Sequence, residues 1–189
     1  IKSLSAGLIT FSEREAQLAI YEVLENTDGG VLFTEGLSDK IILDAAVSKL
    51  FPGEDLGFEV QGAFDRHFLR NLFSRDELRR NYPDRKMFAL FDFDDAYNDW
   101  NGLQRHSMIE ADPHQGLGKR LQHQNHCAFL LPVPTTPQLK RQVLNAEGNP
   151  FSNGTACLSI ELLFCDVDNL GENFTHKEVS GGGEIIEFV

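Results

Sequence analysis

Short apolar runs bounded by turn formers alternate along this chain with stretches in which apolar side chains return every three or four positions. The first kind of segment predicts buried strands and the second predicts helices. Val31-Leu32-Phe33 follows the turn signal Asp28-Gly29-Gly30. Phe58-Glu59-Val60, Lys86 to Phe93 and Cys127 to Val133 are further strand candidates, the last closed by Pro132, Pro134 and Pro137. Between them, residues 12–26 carry a helical stripe of Ala16, Ala19, Ile20, Val23 and Leu24 behind a Ser12 cap and the acids Glu13 and Glu15. A second helix is expected with Ser38 as its N-cap, Asp39 in its first turn, apolar residues at 41–43 and 45–47, and a stop at Phe51-Pro52-Gly53. A third runs from Phe64 to Phe73 and ends near Ser74. Strands alternating with helices predict an α/β fold: a layered sandwich whose central sheet is mostly parallel, of about four strands, flanked by helices.

The pattern weakens elsewhere. Residues 95–124 are polar and rich in turn formers, and are expected to form a long loop excursion. Leu158 to Phe164 is apolar apart from Ser159 and Glu161, and Gly181-Gly182-Gly183 reads as a hinge before a short strand from Glu184 to Val189. No internal repeat is visible. With 189 residues, 41% of them hydrophobic and 15 of them Phe, the chain can fill one core. The expectation is one domain over 1–189, with its core at about 30–165, an N-terminal helix at 12–26 and a C-terminal extension at 166–189. The first residue is Ile1, which suits a piece of a larger protein.

Charge and cysteine usage narrow the partners. The formal net charge is -12, which counts against unaided, non-specific binding to a nucleic-acid backbone. No apolar run approaches membrane-span length and no signal-peptide pattern is present, so no membrane partner is expected. Cys127, Cys157 and Cys165 are an odd number in mostly apolar contexts, which suits reduced thiols in a cytoplasmic protein. The sequons at Asn153 and Asn173 are then read as chance.

Candidate chemistry lies at the ends of two predicted strands. Glu35 follows the Val31–Phe33 run and Asp39 lies just inside the next helix, at the edge where open α/β sheets place ligands. Asp92 and Asp94 close the Lys86–Phe93 run; residues two apart share a face, so they project together while Phe91 and Phe93 turn inward. If the two strands are neighbours, four carboxylates meet at one edge, and their repulsion calls for a divalent cation with a taste for oxygen, Mg²⁺ or Mn²⁺. Glu161, in an otherwise apolar segment, either pairs with a core-edge Arg or serves as a further ligand. Asp95 reads as a solvated turn residue or a helix cap. Lys119, Arg120, Lys140 and Arg141 are the best candidates for backbone-phosphate contacts, though solvated surface pairs are the commoner outcome. His106, His114, His123, His126 and Cys127 lack zinc spacing. Gly116-Leu117-Gly118-Lys119 lacks the full phosphate-loop pattern and its preceding strand.

Glu35-Gly36 with Asp39 four residues on from the Glu, followed downstream by Asp92-Phe93-Asp94, resembles the TOPRIM domain, and its spacing is similar to that of the OLD-type (overcoming lysogenization defect) nucleases. The resemblance spans roughly residues 30–165. One position departs from it: where many members have a Gly three residues after the second Asp, this chain has Tyr97. The resemblance implies a metal-dependent nuclease domain that hydrolyses phosphodiester bonds of DNA or RNA with two Mg²⁺ or Mn²⁺ ions. It implies Asp39, Asp92 and Asp94 as ligands, Glu35 as a ligand or the general base, and Glu161 as a later acidic ligand. It further implies nucleic acid and an ATPase domain or subunit as partners, a role in phage defence, and leaves a homo-oligomer open. The alternatives are strand passage or primer synthesis, which share the fold, and a degenerate TOPRIM module acting as a scaffold.

Overall fold

The structure is a computed structural model that describes residues 12–121, 125–151, 156–166, 170–179 and 183–189. Its central element is a six-stranded, mostly parallel sheet flanked by helices, in the order β2-β1-β3-β6-β5-β4. The strands are β1 (Gly30–Thr34), β2 (Phe58–Gly62), β3 (Met87–Phe91), β4 (Arg105–Glu110), β5 (Gly118–Leu121) and β6 (His126–Leu130). Four of them are the predicted ones. β4 and β5 correct the expectation of about four strands: both arise inside the stretch read as a loop. β4 shows no burial alternation because nearly all its side chains are exposed, and β5 has two cations among its four residues, so neither carries the apolar signature of a strand.

The chain divides into two compact units. The first comprises Ile1–Leu90, Leu103–Ser107 and Arg120–Ala128. It opens with α1 (Glu13–Asn26), where Ser12 and Glu15 form a reciprocal capping box: Glu15 N–H donates to Ser12 Oγ at 3.3 Å and Ser12 N–H to Glu15 Oε2 at 2.7 Å. Ala16, Ile20 and Leu24, four residues apart, are the side chains it buries. The last turn of α1 has no basic residue of its own. Arg85 serves in its place, donating to Leu24 O at 2.8 Å and Gly29 O at 3.0 Å, so one guanidinium ties the helix end to the entry of β1.

α2 (Leu37–Leu50) connects β1 to β2, and β1 pairs in parallel with β2 from Gly30↔Phe58 to Thr34↔Gly62. The N-cap of α2 is Gly36 rather than Ser38. The helix starts earlier than its first polar residue suggests because Asp39, not a serine, supplies the cap: its Oδ2 accepts the Gly36 N–H at 2.9 Å. α3 (Arg66–Ser74) begins after Asp65, whose carboxylate accepts Phe68 N–H at 2.7 Å, and α4 (Asp76–Asn81) follows at once. β3 pairs in parallel with the other side of β1, Val31↔Met87 to Phe33↔Ala89.

The second unit comprises Phe91–Gly102, Met108–Lys119 and Phe129–Val189. It contains α5 (Tyr97–Gly102), α6 (Pro137–Arg141) and, among its described residues, 3-10 turns over Pro113–Gln115, Ile160–Phe164 and Gly171–Asn173. Phe91, Phe93, Leu130, Leu139, Leu158 and Leu162 fill its core. Phe93 and Leu158 exchange both backbone hydrogen bonds, at 2.8 and 3.1 Å. The predicted C-terminal strand is β8 (Gly183–Phe188), antiparallel to β7 (Phe174–Val179), with Phe174 edge-on to Phe188 and a Lys177–Glu187 ion pair on the hairpin. Gln142 fastens the hairpin: its amide donates to Cys157 O (2.8 Å) and Ile186 O (3.1 Å) and accepts the Ile186 N–H at 2.8 Å. The Gly181-Gly182 part of the expected hinge, and the sequon at Asn153, lie outside the described residues. Among the described residues no helix is long and apolar enough to cross a membrane.

Candidate functional site

In the first unit, β1 ends at Thr34 and the chain turns through Glu35 and Gly36 into α2. The turn is fixed from three sides. Thr34 Oγ1 donates to Gly36 O at 3.0 Å, Asp39 accepts the Gly36 N–H, and Ala63 N–H reaches back to Thr34 O at 2.9 Å. Asp39 is buried, with Ser38 Oγ donating to its second oxygen at 3.3 Å, and Glu35 is half-buried. Both sequence-predicted acids of this unit therefore sit on one turn.

That turn depends on a residue the sequence did not single out. A Cβ on Gly62, the last residue of β2, would lie 2.8 Å from Gly36 O and 3.2 Å from Leu37 Cα. Only a glycine lets the end of β2 run this close beneath the turn that carries Glu35. A glycine closing a five-residue strand was the available signal, but many strands end on glycine for local reasons alone.

In the second unit, the predicted alternation appears in the burial: Phe91 and Phe93 are fully buried, while Asp92 and Asp94 are half-buried. Asp94 Oδ1 accepts the Ala96 N–H at 2.7 Å and its carbonyl accepts Tyr97 N–H at 3.1 Å, which turns the chain into α5. Tyr97, where the resembled family has glycine, stacks on Phe93 with ring centroids 5.8 Å apart and planes 5° from parallel. The turn thus forms without a glycine, held by an aromatic stack. Asp95 is exposed. The Cys157 thiol is pushed up first by burial and then by the charges of Glu187, Asp94 and Asp95, against the pull of Lys177, so these acids share one electrostatic neighbourhood.

Glu161 lies on the Ile160–Phe164 turn between buried Ile160 and Leu162 and is itself half-buried, so its charge is not sealed in an apolar segment. Lys119 is a correction. It is 2% exposed, with its ammonium 4.2 Å from the Trp100 ring centroid and a 3.4 Å contact to Asn101 O, so it faces the interior of its unit and not a surface where a phosphate backbone would pass. Lys140, on α6, is exposed. Gly118 opens β5, and a Cβ there would meet the Phe129 ring at 2.6 Å, so this glycine serves packing between strands, in keeping with the dismissal of a phosphate loop.

The histidines are dispersed: His106 is exposed on β4, His114 bonds Val133 O at 2.8 Å, and His126 is buried, while His123 lies outside the described residues. Among the described residues no group of three or more His, Cys, Asp or Glu side chains is gathered as a metal site. An open cleft of about 480 Å³ lies at the other end of β1, lined by Gly29, Gly30, Gly57, Tyr82, Arg85 and Lys86, away from Glu35. No family model, curated protein or solved structure matches the chain.

Proposed function

We propose that this chain is a TOPRIM-like, metal-dependent nuclease domain whose chemistry is carried by Glu35, Asp39, Asp92 and Asp94. The observation that carries the reading is the register of the two strands that lead to these acids. β1 and β3 are hydrogen-bonded parallel neighbours, paired through Phe33↔Ala89, and each runs to one residue before an acid: Thr34 before Glu35, Phe91 before Asp92. Parallel neighbours release their chains at the same edge of a sheet, which is where ligands of open α/β sheets bind.

The donor chemistry fits a hard divalent cation, since the four side chains offer only carboxylate oxygens and each such oxygen has more than one acceptor direction. Mg²⁺ or Mn²⁺ held by Asp39, Asp92, Asp94 and Glu35 would supply Lewis-acid stabilisation of charge on a phosphodiester. The chain itself contributes rigidity. Asp39 is locked by the N–H of its own helix start, and the Gly62 approach fixes the Glu35 turn. Glu35, half-buried on that turn, acts as a ligand or as the base that takes a proton from water. Glu161 is a candidate outer ligand.

At a net charge of -12 the chain repels a polyanion, so a basic partner surface, such as that of an ATPase domain or subunit, would hold the nucleic acid. Nicking of plasmid and digestion of labelled RNA by the full-length protein test the reading. Cleavage should require Mg²⁺ or Mn²⁺ and fall roughly a hundredfold or more in Glu35→Ala and in Asp92→Ala, with melting temperatures unchanged. Metal-dependent cleavage that survives both substitutions would place the chemistry elsewhere.

A scaffolding role is the second reading. It is favoured by the structural work two of the acids already do: both Asp39 oxygens accept hydrogen bonds from its own turn, and Asp94 closes the turn into α5.

A further inference from the structure

β4 is the last strand in the order of the six-stranded sheet. Arg105, His106, Ser107, Met108 and Ile109 are all exposed, and only Glu110 is half-buried. Successive side chains of a strand point to opposite faces, so β4 has exposed side chains on both faces. Met108 is 37% and Ile109 47% exposed, one on each face. Natural edge strands are usually guarded against pairing by charged side chains, Pro, a bulge or shortness; the six-residue Arg105–Glu110 strand has no Pro, Gly or Lys and carries its formal charges only at its two ends.

The sequence of β4 also complements itself. Two copies related by a two-fold axis perpendicular to the sheet keep their faces, so odd-numbered residues must oppose odd ones and even oppose even. Two registers then centre on the strand. Centring on Ser107 sets Arg105 against Ile109 and His106 against Met108, a cationic or ionisable group against an apolar one each time. Centring on Met108 sets His106 against Glu110 at both ends, Ser107 against Ile109, and the two Met108 side chains against each other on the axis. Cross-strand pairs that hydrogen-bond, as an imidazole and a carboxylate can, and pairs of apolar side chains stabilise a sheet, and a charge facing an apolar group does not. Glu110 is already set for this role, because its Oε1 is anchored by the Ala111 and Asp112 N–H groups at 2.8 Å each.

We propose that β4 is a homodimerisation edge: a second copy of this chain adds its β4 antiparallel to the first, in the register centred on Met108, joining two sheets edge to edge. The contact is six residues a side, small beside a standard interface, so the dimer forms at micromolar rather than nanomolar concentrations. Because each chain carries -12, association strengthens as salt rises toward physiological ionic strength, where repulsion beyond about 8 Å is screened.

Sedimentation velocity of the chain over a range of roughly 1–200 µM, near 0.15 M salt, should show a concentration-dependent dimer. Met108→Lys places two like charges on the axis at an exposed position. It should weaken the dimer by about tenfold or more while leaving the melting temperature unchanged. Under mild oxidation Met108→Cys should cross-link two chains, since residues opposed on the axis have the Cα spacing of a disulfide. Ser107→Cys and the wild type, with its own three thiols, should stay uncross-linked. A chain that remains monomeric throughout, a dimer indifferent to Met108→Lys, or cross-linking through Ser107→Cys in preference to Met108→Cys would each overturn the proposal. An extended peptide from another protein taken up by a monomeric chain would do the same. None of these outcomes depends on metal or nuclease activity.

Discussion

His126 shows how one buried side chain ties stability to pH. It opens β6, is 2% exposed and packs in a T-shaped pair with Phe73, ring centroids 5.7 Å apart, and burial lowers its pKa from 6.5 to about 4. The folded pKa lies below the unfolded one, so between the two the unfolded chain binds a proton that the native chain refuses. Stability is therefore complete above pH 6.5 and is lost as pH falls toward 4, by a total of about 3 kcal/mol. Urea unfolding from pH 7 to pH 4.5 should show this slope in the wild type and a flatter one in His126→Gln, whatever the variant's stability at pH 7. Equal slopes would mean that the burial of His126 is not what couples folding to protons. Nothing in the neighbouring residues announced this: a His before an apolar run reads equally well as a loop residue. Gly62 was hidden for a related reason. Its importance lies in what passes above it, Gly36 and Leu37, more than twenty residues earlier in the chain.

Elements that carry an apolar run or stripe were legible in the sequence, and elements without one were not. α1 announced itself through Ser12, Glu15 and the Ala16–Ile20–Leu24 stripe, and β1, β2, β3 and β6 through their apolar runs. β4 and β5 lack that signature because neither presents an unbroken or alternating apolar face. The start of α2 was misplaced by two residues, since the eye goes to Ser38 as a cap while Asp39 caps Gly36 from inside the helix. The β7–β8 hairpin is a further case. Only its second strand was expected, and its anchorage comes from Gln142, a polar residue 5% exposed whose amide imitates a neighbouring strand for Ile186. Replacing it by Leu keeps the volume but strands the Ile186 N–H and two carbonyls. Gln142→Leu should cost on the order of 2–4 kcal/mol and collapse the hydrogen-exchange protection of the Ile186 amide. Protection unchanged from the wild type would show that the hairpin is held by Phe174 and Phe188 instead.

At the scale of the molecule, an acidic chain places carboxylates directly after two adjacent parallel strands, and the sequence made that arrangement readable because strand ends and acid spacing are both local patterns. Strand order is encoded by no local pattern, and that β1 and β3 are parallel neighbours is seen only in the fold. The proposed nuclease reading requires that Glu35 and Asp39 on one strand end and Asp92 and Asp94 on the other serve the same cation. Paramagnetic broadening by Mn²⁺ in an amide NMR titration tests it most directly, because the ion relaxes only nuclei close to it. The account predicts that substoichiometric Mn²⁺ broadens the amides of Gly36 and Phe93 together, along one binding curve, that Mg²⁺ competes the effect away, and that Asp92→Asn abolishes it at Gly36 as well as at Phe93. Broadening at one strand end without the other, or at Gly36 undiminished in Asp92→Asn, would contradict it.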